Sequence, residues 1–323
     1  MIHKFSRLIA AILFITFSIT AINAQSLGKV IDYKKNANSL VITSENGKLE
    51  ITPFGNEIIK VAVVANGETA TEKESKSVVL KPTKMKFAVE NDKNSISLVL
   101  KGGNMAVIDK ATSQVKFITQ GKTVLEESAG ITANGKERRI SFKSNDNESF
   151  YGCGERGVGY DLKGDTMVMF NKQNYAYGKG DRTSQMNITV PFYISSLGYG
   201  VYFDDYTASK LVLKNPVEYI TESRTPVSYY FIASQEGNIA GVVKNYTALT
   251  GRQDLAPFWA LGYITSKYGY RTQAETEGVI DTLRREGYPV DGIVLDLYWY
   301  GKEEDMGRFE WNKTQWPDHK GML

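Results

Sequence analysis

The chain holds one cysteine, Cys153, and two histidines, His3 and His319. A single thiol excludes an intramolecular disulfide and a thiolate metal cluster within one chain, so a large core has to supply the stability. With so few imidazoles, one of them in the first residues, a His-based metal site or a Ser-His-Asp triad lacks its parts. No block of lysine and arginine accumulates either: 39 basic and 36 acidic residues are dispersed and leave a formal net charge of +3. Nucleic acid is therefore not an expected partner. Internal repeats are absent, and nothing signals a cofactor.

What is present is the profile of a folded protein, with 42% hydrophobic and 23% charged residues over 323 positions. That length leaves room for about two domains. The 19 tyrosines offer flat faces with polar tips, which suit sugars as well as ordinary cores. Basic residues in Met1 to Arg7 precede an apolar run from Leu8 to Thr20 and small residues ending at Ala24-Gln25-Ser26. This reads as a secretory signal peptide over residues 1–24. The run is short of the roughly 20 residues that a bilayer span needs, and no later segment reaches that length. The expectation is an exported protein, periplasmic or secreted, with no membrane span after signal removal. No cysteine near the cleavage point suggests a lipid anchor.

Residues 25–234 read as a β-rich domain. Apolar runs such as Leu40-Val41-Ile42, Ile58 to Val64, Ile96 to Leu100, Met105 to Ile108 and Val115 to Ile118 are separated by turn signals at Asn46-Gly47, Gly102-Gly103-Asn104 and Asn134-Gly135. Many strands at this spacing predict a β-sandwich. Over residues 235–256, Ile239, Val242, Val243 and Tyr246 recur at helical spacing and predict a linker helix ending near Gly251. From residue 257 the pattern changes. Ala260 to Ile264 reads as a buried strand, Thr272 with Glu275 as a capping box opening a helix, and Gly287 as its stop. Gly292 to Asp296 reads as a second strand, buried on both faces as in a parallel sheet. Residues 257–323 are thus the start of an α/β domain, short of the roughly 250 residues of a (β/α)₈ barrel. The expectation is a fragment of a longer protein.

Asp296 ends the second of these strands and is followed by Leu297-Tyr298-Trp299-Tyr300. Strand C-termini and their loops form the active-site face of such barrels. A carboxylate there accepts hydrogen bonds from sugar hydroxyls while aromatic rings cover the sugar's C–H surface; the bland alternative is an Asp that caps the next loop. The acidic run Glu303-Glu304-Asp305 reads as a solvated loop. Tyr151 to Gly157 lacks the Lys-Ser/Thr ending of a phosphate loop, so the expectation is a tight turn carrying a Glu155–Arg156 ion pair. The amide- and tyrosine-rich segment Asn171 to Gly178 is either a surface turn or a sugar-facing edge.

In this order, the segments Phe150-Tyr151-Gly152-Cys153-Gly154-Glu155-Arg156, Pro191-Phe192-Tyr193-Ile194-Ser195, Pro257-Phe258-Trp259-Ala260-Leu261-Gly262 with Ser266 and Tyr268, and Tyr288-Pro289-Val290-Asp291-Gly292-Ile293-Val294-Leu295-Asp296 resemble glycoside hydrolase family 31. Phe309-Glu310-Trp311-Asn312 through Trp316-Pro317-Asp318 resembles the segment after the family's second barrel strand. The match runs from about Phe150 to Leu323.

The resemblance implies a mutarotase-like β-sandwich followed by the incomplete start of a (β/α)₈ barrel. It implies a retaining mechanism, one Asp attacking the anomeric carbon and a second protonating the leaving oxygen. Both follow later barrel strands in the family, so no catalytic residue is assigned before Leu323 and this chain alone is expected to be inactive. Carried over, the substrate-binding residues are Asp296, Tyr298 and Trp299 of the barrel and Gln173, Asn174 and Tyr175 of the sandwich loop. The expected ligands are α-linked glucosides or maltooligosaccharides. Many family members place an Asp in that loop after a pattern like Met-Trp-Asn-Thr, whereas this chain has Met169-Phe170-Asn171-Lys172-Gln173. Gln removes a charge and adds a donor, which argues against plain maltase-like specificity. The alternatives are an α-transglucosylase, an α-xylosidase or a non-catalytic exported carbohydrate-binding module.

Overall fold

The fold is described from a computed structural model over residues 26–68, 75–82, 86–171, 185–222 and 226–323. It divides into two compact units with the boundary after Arg252. The first unit opens with strands β1 (Val30–Lys35), β2 (Leu40–Ser44), β3 (Gly47–Pro53), β4 (Ile58–Ala65), β5 (Ala88–Asn91) and β6 (Ser95–Val99). It continues through β7 (Met105–Asp109), β8 (Val115–Thr119), β9 (Lys122–Asn134), β10 (Glu137–Phe142), β11 (Phe150–Arg156) and β12 (Thr166–Met169). The remaining strands are β13 (Gln185–Ser195), β14 (Tyr199–Phe203), β15 (Ser209–Leu213), β16 (Val217–Thr221) and β17 (Val227–Ala233), followed by helix α1 (Ile239–Thr250).

These strands form two antiparallel sheets, ordered β1-β2-β3-β4-β17-β14-β13-β11 and β12-β15-β16-β10-β9-β8-β7-β6-β5. The two-residue period of a strand decides which face each side chain takes. In β3, Leu49 and Ile51 are buried while Lys48 is exposed. Central β17 is buried along its whole length because both of its faces are covered. Val227, Tyr229, Phe231 and Ala233 join the core between the sheets. Tyr230 and Ile232 face the other way, into a second cluster with Val242 and Leu249 of α1.

The helix begins at Asn238, whose side chain accepts from Gly241 N at 2.8 Å, and ends at Gly251. Its inward stripe is the buried Val242 and Leu249 with the half-buried Tyr246, whose ring stacks on Phe192 at 3.9 Å. Ile239 and Val243, expected in that stripe, stay exposed. The segment is therefore a third layer of the sandwich unit as well as the chain's exit from it.

Residues 151–157 were expected to form a tight turn, and Phe150–Arg156 instead form strand β11. β11 pairs with β13, so closely that a Cβ at Gly152 would meet Phe192 O at 2.7 Å and one at Gly154 would meet Ile188 O at 2.4 Å. The glycines answer to this backbone approach. Arg156 donates to the carbonyls of Cys153 and Val168.

The second unit opens with a one-turn 3-10 helix, Phe258–Leu261. It contains strand β18 (Ile264–Ser266), helix α2 (Gln273–Arg285), strand β19 (Gly292–Val294) and the short helix α3 (His319–Met322). β18 and β19 pair in parallel, Ile264 opposite Gly292 and Ser266 opposite Val294. This is the strand-helix-strand order expected, with two corrections. The run from Ala260 is split by the turn that Pro257 opens, with Ala260 N donating to Pro257 O, so the strand starts at Ile264. Neither strand is buried on both faces: Ile264 and Val294 are exposed, as three-residue strands cover little of one another. Among the described residues no helix is long and apolar enough to cross a membrane.

Candidate functional site

β18 and β19 end side by side, and the loops that leave them, residues 267–271 and 295–302, carry the candidate residues. Asp296 and Tyr298 adopt φ of 58° and 73°. Left-handed backbone at a non-glycine residue costs about 1–3 kcal/mol and persists only where the surroundings enforce it. Here the enforcement is visible. Gly269, itself at φ +71°, seats the Tyr298 ring: a Cβ on it would meet Tyr298 Cδ2 at 2.3 Å and Leu297 Cβ at 3.1 Å. The Arg271 guanidinium carbon lies 4.3 Å from the centre of that ring, and Nη2 donates to Tyr298 Oη at 3.4 Å. The phenol donates to Glu303 Oε1 at 2.7 Å, a bond to a carboxylate that raises the Tyr298 pKa.

Helix α2 holds the first of these loops. Thr272 caps it, accepting from Glu275 N at 3.1 Å. The expected capping box is half formed, because Glu275 reaches back to Arg271 N at 2.7 Å and not to Thr272. The same carboxylate pairs with the Lys267 ammonium, which with the Arg271 N–H holds it below the usual carboxylate range. Lys267 also lies over the buried Tyr270 ring, 4.9 Å from its centre.

Asp296 is exposed, and among the described residues nothing donates to its carboxylate. Beyond it, Trp299 meets Tyr300 edge to face at 5.4 Å and Trp311 at 5.1 Å. Trp311 continues the row to the buried Trp316 at 5.8 Å and stacks on His319 at 4.9 Å. Asn312 N donates to the Trp299 carbonyl at 2.8 Å, fastening residues 311–319 beneath the loop. His319 is thereby a ring in an aromatic stack. An accepting carboxylate beside partly exposed aromatic faces is the chemistry that binds a polyhydroxylated ring.

The structure thus brings Asp296, Tyr298 and Trp299 into one loop. Gln173, Asn174 and Tyr175 lie outside the described residues. Asn171, at the edge of that segment, accepts from Thr189 N at 2.7 Å and Oγ1 at 2.8 Å. Sequence reasoning passed over Gly269 and Arg271 and took Glu303 for part of a solvated loop. The one signal for Gly269 was a glycine between two tyrosines at a strand end. Among the described residues no group of three His, Cys, Asp or Glu could hold a metal ion.

Known proteins match this architecture along the chain. The alpha-xylosidase of Saccharolobus solfataricus is 29% identical over 294 residues, 86% of this chain and 38% of that protein. Alpha-glucosidase 2 of Bacillus thermoamyloliquefaciens is 26% identical over 287 residues, again 86% of this chain and 36% of that protein. The chain therefore spans under two-fifths of the length of these relatives. Among solved structures, a Flavobacterium johnsoniae GH31 dextranase complexed with glucose superposes with a TM-score of 0.84 at 22% identity, over 93% of this chain and 37% of that one. An alpha-xylosidase from a soil metagenome complexed with xylose gives 0.75 at 24% identity, over 90% of this chain and 45% of that one. Both share the fold of this chain. The family model for the glycosyl hydrolase 31 N-terminal galactose mutarotase-like domain matches residues 48–210, and that for the family 31 TIM-barrel domain matches residues 253–323. The first alone takes in half of the chain and the second falls on the β18-α2-β19 unit, so the chain belongs to glycoside hydrolase family 31.

Proposed function

We propose that the whole protein is an exported, retaining glycosidase acting on α-linked glucosides, to which this chain contributes the β-sandwich and the first wall of the sugar pocket. The observation that carries the reading is Asp296, an exposed carboxylate just past the end of a parallel strand that accepts no hydrogen bond from the described residues, in the loop that also carries Trp299. Its role is to accept hydrogen bonds from the hydroxyls of the bound sugar, with Trp299 against the apolar face of the ring. The nucleophile and the general acid belong to later barrel strands, as the family resemblance implies. Residues 1–24 direct export.

An α-xyloside is the second reading, favoured by relatives whose names carry that activity, such as the one from Saccharolobus solfataricus. The test uses the product of the entire reading frame with 4-nitrophenyl α-D-glucoside and α-D-xyloside. Glucoside hydrolysis with the α-anomer released first supports the proposal. Preference for the xyloside supports the second reading, and turnover of neither overturns both. Calorimetry of residues 25–323 with maltooligosaccharides tests the non-catalytic module, which requires binding without turnover.

A further inference from the structure

Tyr298 is the residue of this loop whose surfaces are already committed. One side of its ring is seated on Gly269, where a single added carbon would collide at 2.3 Å. The Arg271 guanidinium lies 4.3 Å from the ring centre, and the phenol oxygen is shared between Glu303 at 2.7 Å and Arg271 at 3.4 Å. A ring that stacks on sugar needs a free face, and a hydroxyl that reads sugar needs a free donor or acceptor. Tyr298 offers little of either. What these contacts do hold is backbone. Asp296 and Tyr298, two residues apart, both sit in the left-handed region, and Leu297 between them is buried against the same glycine. Freed of these contacts, the segment would relax out of that conformation and carry the Asp296 carboxylate with it.

We propose that Gly269, Arg271, Tyr298 and Glu303 form a clamp between the two strand-end loops, and that Tyr298 is a positioning residue for Asp296 and not a sugar-stacking platform. The clamp is anchored to α2, since Glu275 fixes the loop through Arg271 N and Lys267. The functional half of this inference rests on the glycosidase reading above. The structural half does not.

The two roles separate in Tyr298→Trp and in the coupling of Gly269→Ala to Asp296→Asn; Gly269→Ala alone displaces the Tyr298 ring under either role. The clamp predicts a fall of about 100-fold in kcat/KM, the scale of a displacement of about 1 Å in a binding group. Tyr298→Trp keeps a large ring, so a platform survives it, whereas the seat on Gly269 has no room for the larger ring and the clamp predicts loss. In an Asp296→Asn background the Gly269→Ala penalty should shrink to less than about threefold, because the clamp acts through that carboxylate. These rates are measured on the product of the entire reading frame, with thermal melts to show that each variant is folded. Wild-type kcat/KM in Gly269→Ala, or full additivity with Asp296→Asn, overturns the proposal. Amide exchange of Gly301 and Tyr270, which donate to the Tyr298 and Leu295 carbonyls, in the present chain separates the two readings. Faster exchange in folded Gly269→Ala upholds the clamp even if the wild type cleaves no glycoside, and unchanged exchange refutes it.

Discussion

Tyr229 donates its phenol to Glu127 at 2.8 Å across the space between the two sheets, from β17 in one to β9 in the other. The other carboxylate oxygen accepts Val115 N at 2.8 Å, so both oxygens of a fully buried Glu are satisfied. Burial still dominates and pushes the Glu127 pKa up to about 7, the two hydrogen bonds offsetting only part of it. A carboxyl raised in the folded state stabilises the fold below its unfolded value near 4.5, and that contribution is lost as pH rises through about 7. Glu127→Gln keeps an acceptor for Val115 and a partner for Tyr229 but cannot ionise. Urea titrations at pH 5 and pH 8 should show the wild type losing on the order of 3 kcal/mol relative to the variant over that interval. Parallel pH profiles for the two proteins would contradict this.

The free thiol gives a simpler test. Cys153 lies in the sandwich core, where burial pushes its pKa up to about 12 against a smaller lowering by Arg156. At pH 8 the thiolate fraction is then about 1 in 10⁴. Iodoacetamide should leave the native chain unlabelled over hours and modify it stoichiometrically in denaturant. Labelling of the native chain at the denatured rate would show that the thiol is accessible.

Where the sequence was legible, one physical rule acted alone. The apolar run Leu40-Val41-Ile42 became β2 with Leu40 and Ile42 inside, and the Asn-Gly and Gly-Gly signals marked real turns, because a half-buried strand leaves its pattern in the chain. The rule failed where two packing partners compete. Ile239 and Val243 fit a helical stripe as well as Val242 and Tyr246 do, and only the position of β17 selects the second pair. The glycines of residues 150–156 looked like a turn because a glycine needed for turning and one needed for close strand approach are written with the same letter. In the candidate site, the sequence pointed to Asp296 because strand ends carry function in parallel architectures. Its support was not legible. Gly269 and Arg271 follow β18 while Glu303 follows β19, and they meet only when the two strands pair.

The cap of α1 sets the third prediction. Asn238 Oδ1 accepts Gly241 N at 2.8 Å, satisfying one of the helix's free amides. The helix covers one face of β17, so fraying at its first turn exposes Val242 and Tyr230. Asn238→Ala should cost about 1 kcal/mol, seen as a Tm lower by about 2–4 °C in a unit of this size. Asn238→Ser, which keeps an acceptor for Gly241 N and adds no charge beside Glu236, should recover most of that loss. Equal losses in both variants would assign the effect to something other than the cap.

The last prediction separates stability from function at one residue. Asp296 is exposed, sits at φ 58° and receives nothing from the described residues, so the fold gains little from its carboxylate. Asparagine tolerates left-handed backbone as well as aspartate does. Asp296→Asn should therefore leave the melting temperature within about 1 °C, since an exposed unpaired charge is worth under about 0.5 kcal/mol. Sugar binding should respond differently. A hydrogen bond to a charged acceptor contributes about 1.5–3 kcal/mol, so kcat/KM on an α-glycoside should fall roughly tenfold to a hundredfold in the product of the entire reading frame. A residue kept for folding would show the reverse, a lowered Tm with turnover in proportion to the folded fraction. Measured together, the melt and the rate decide which purpose the strand-end carboxylate serves.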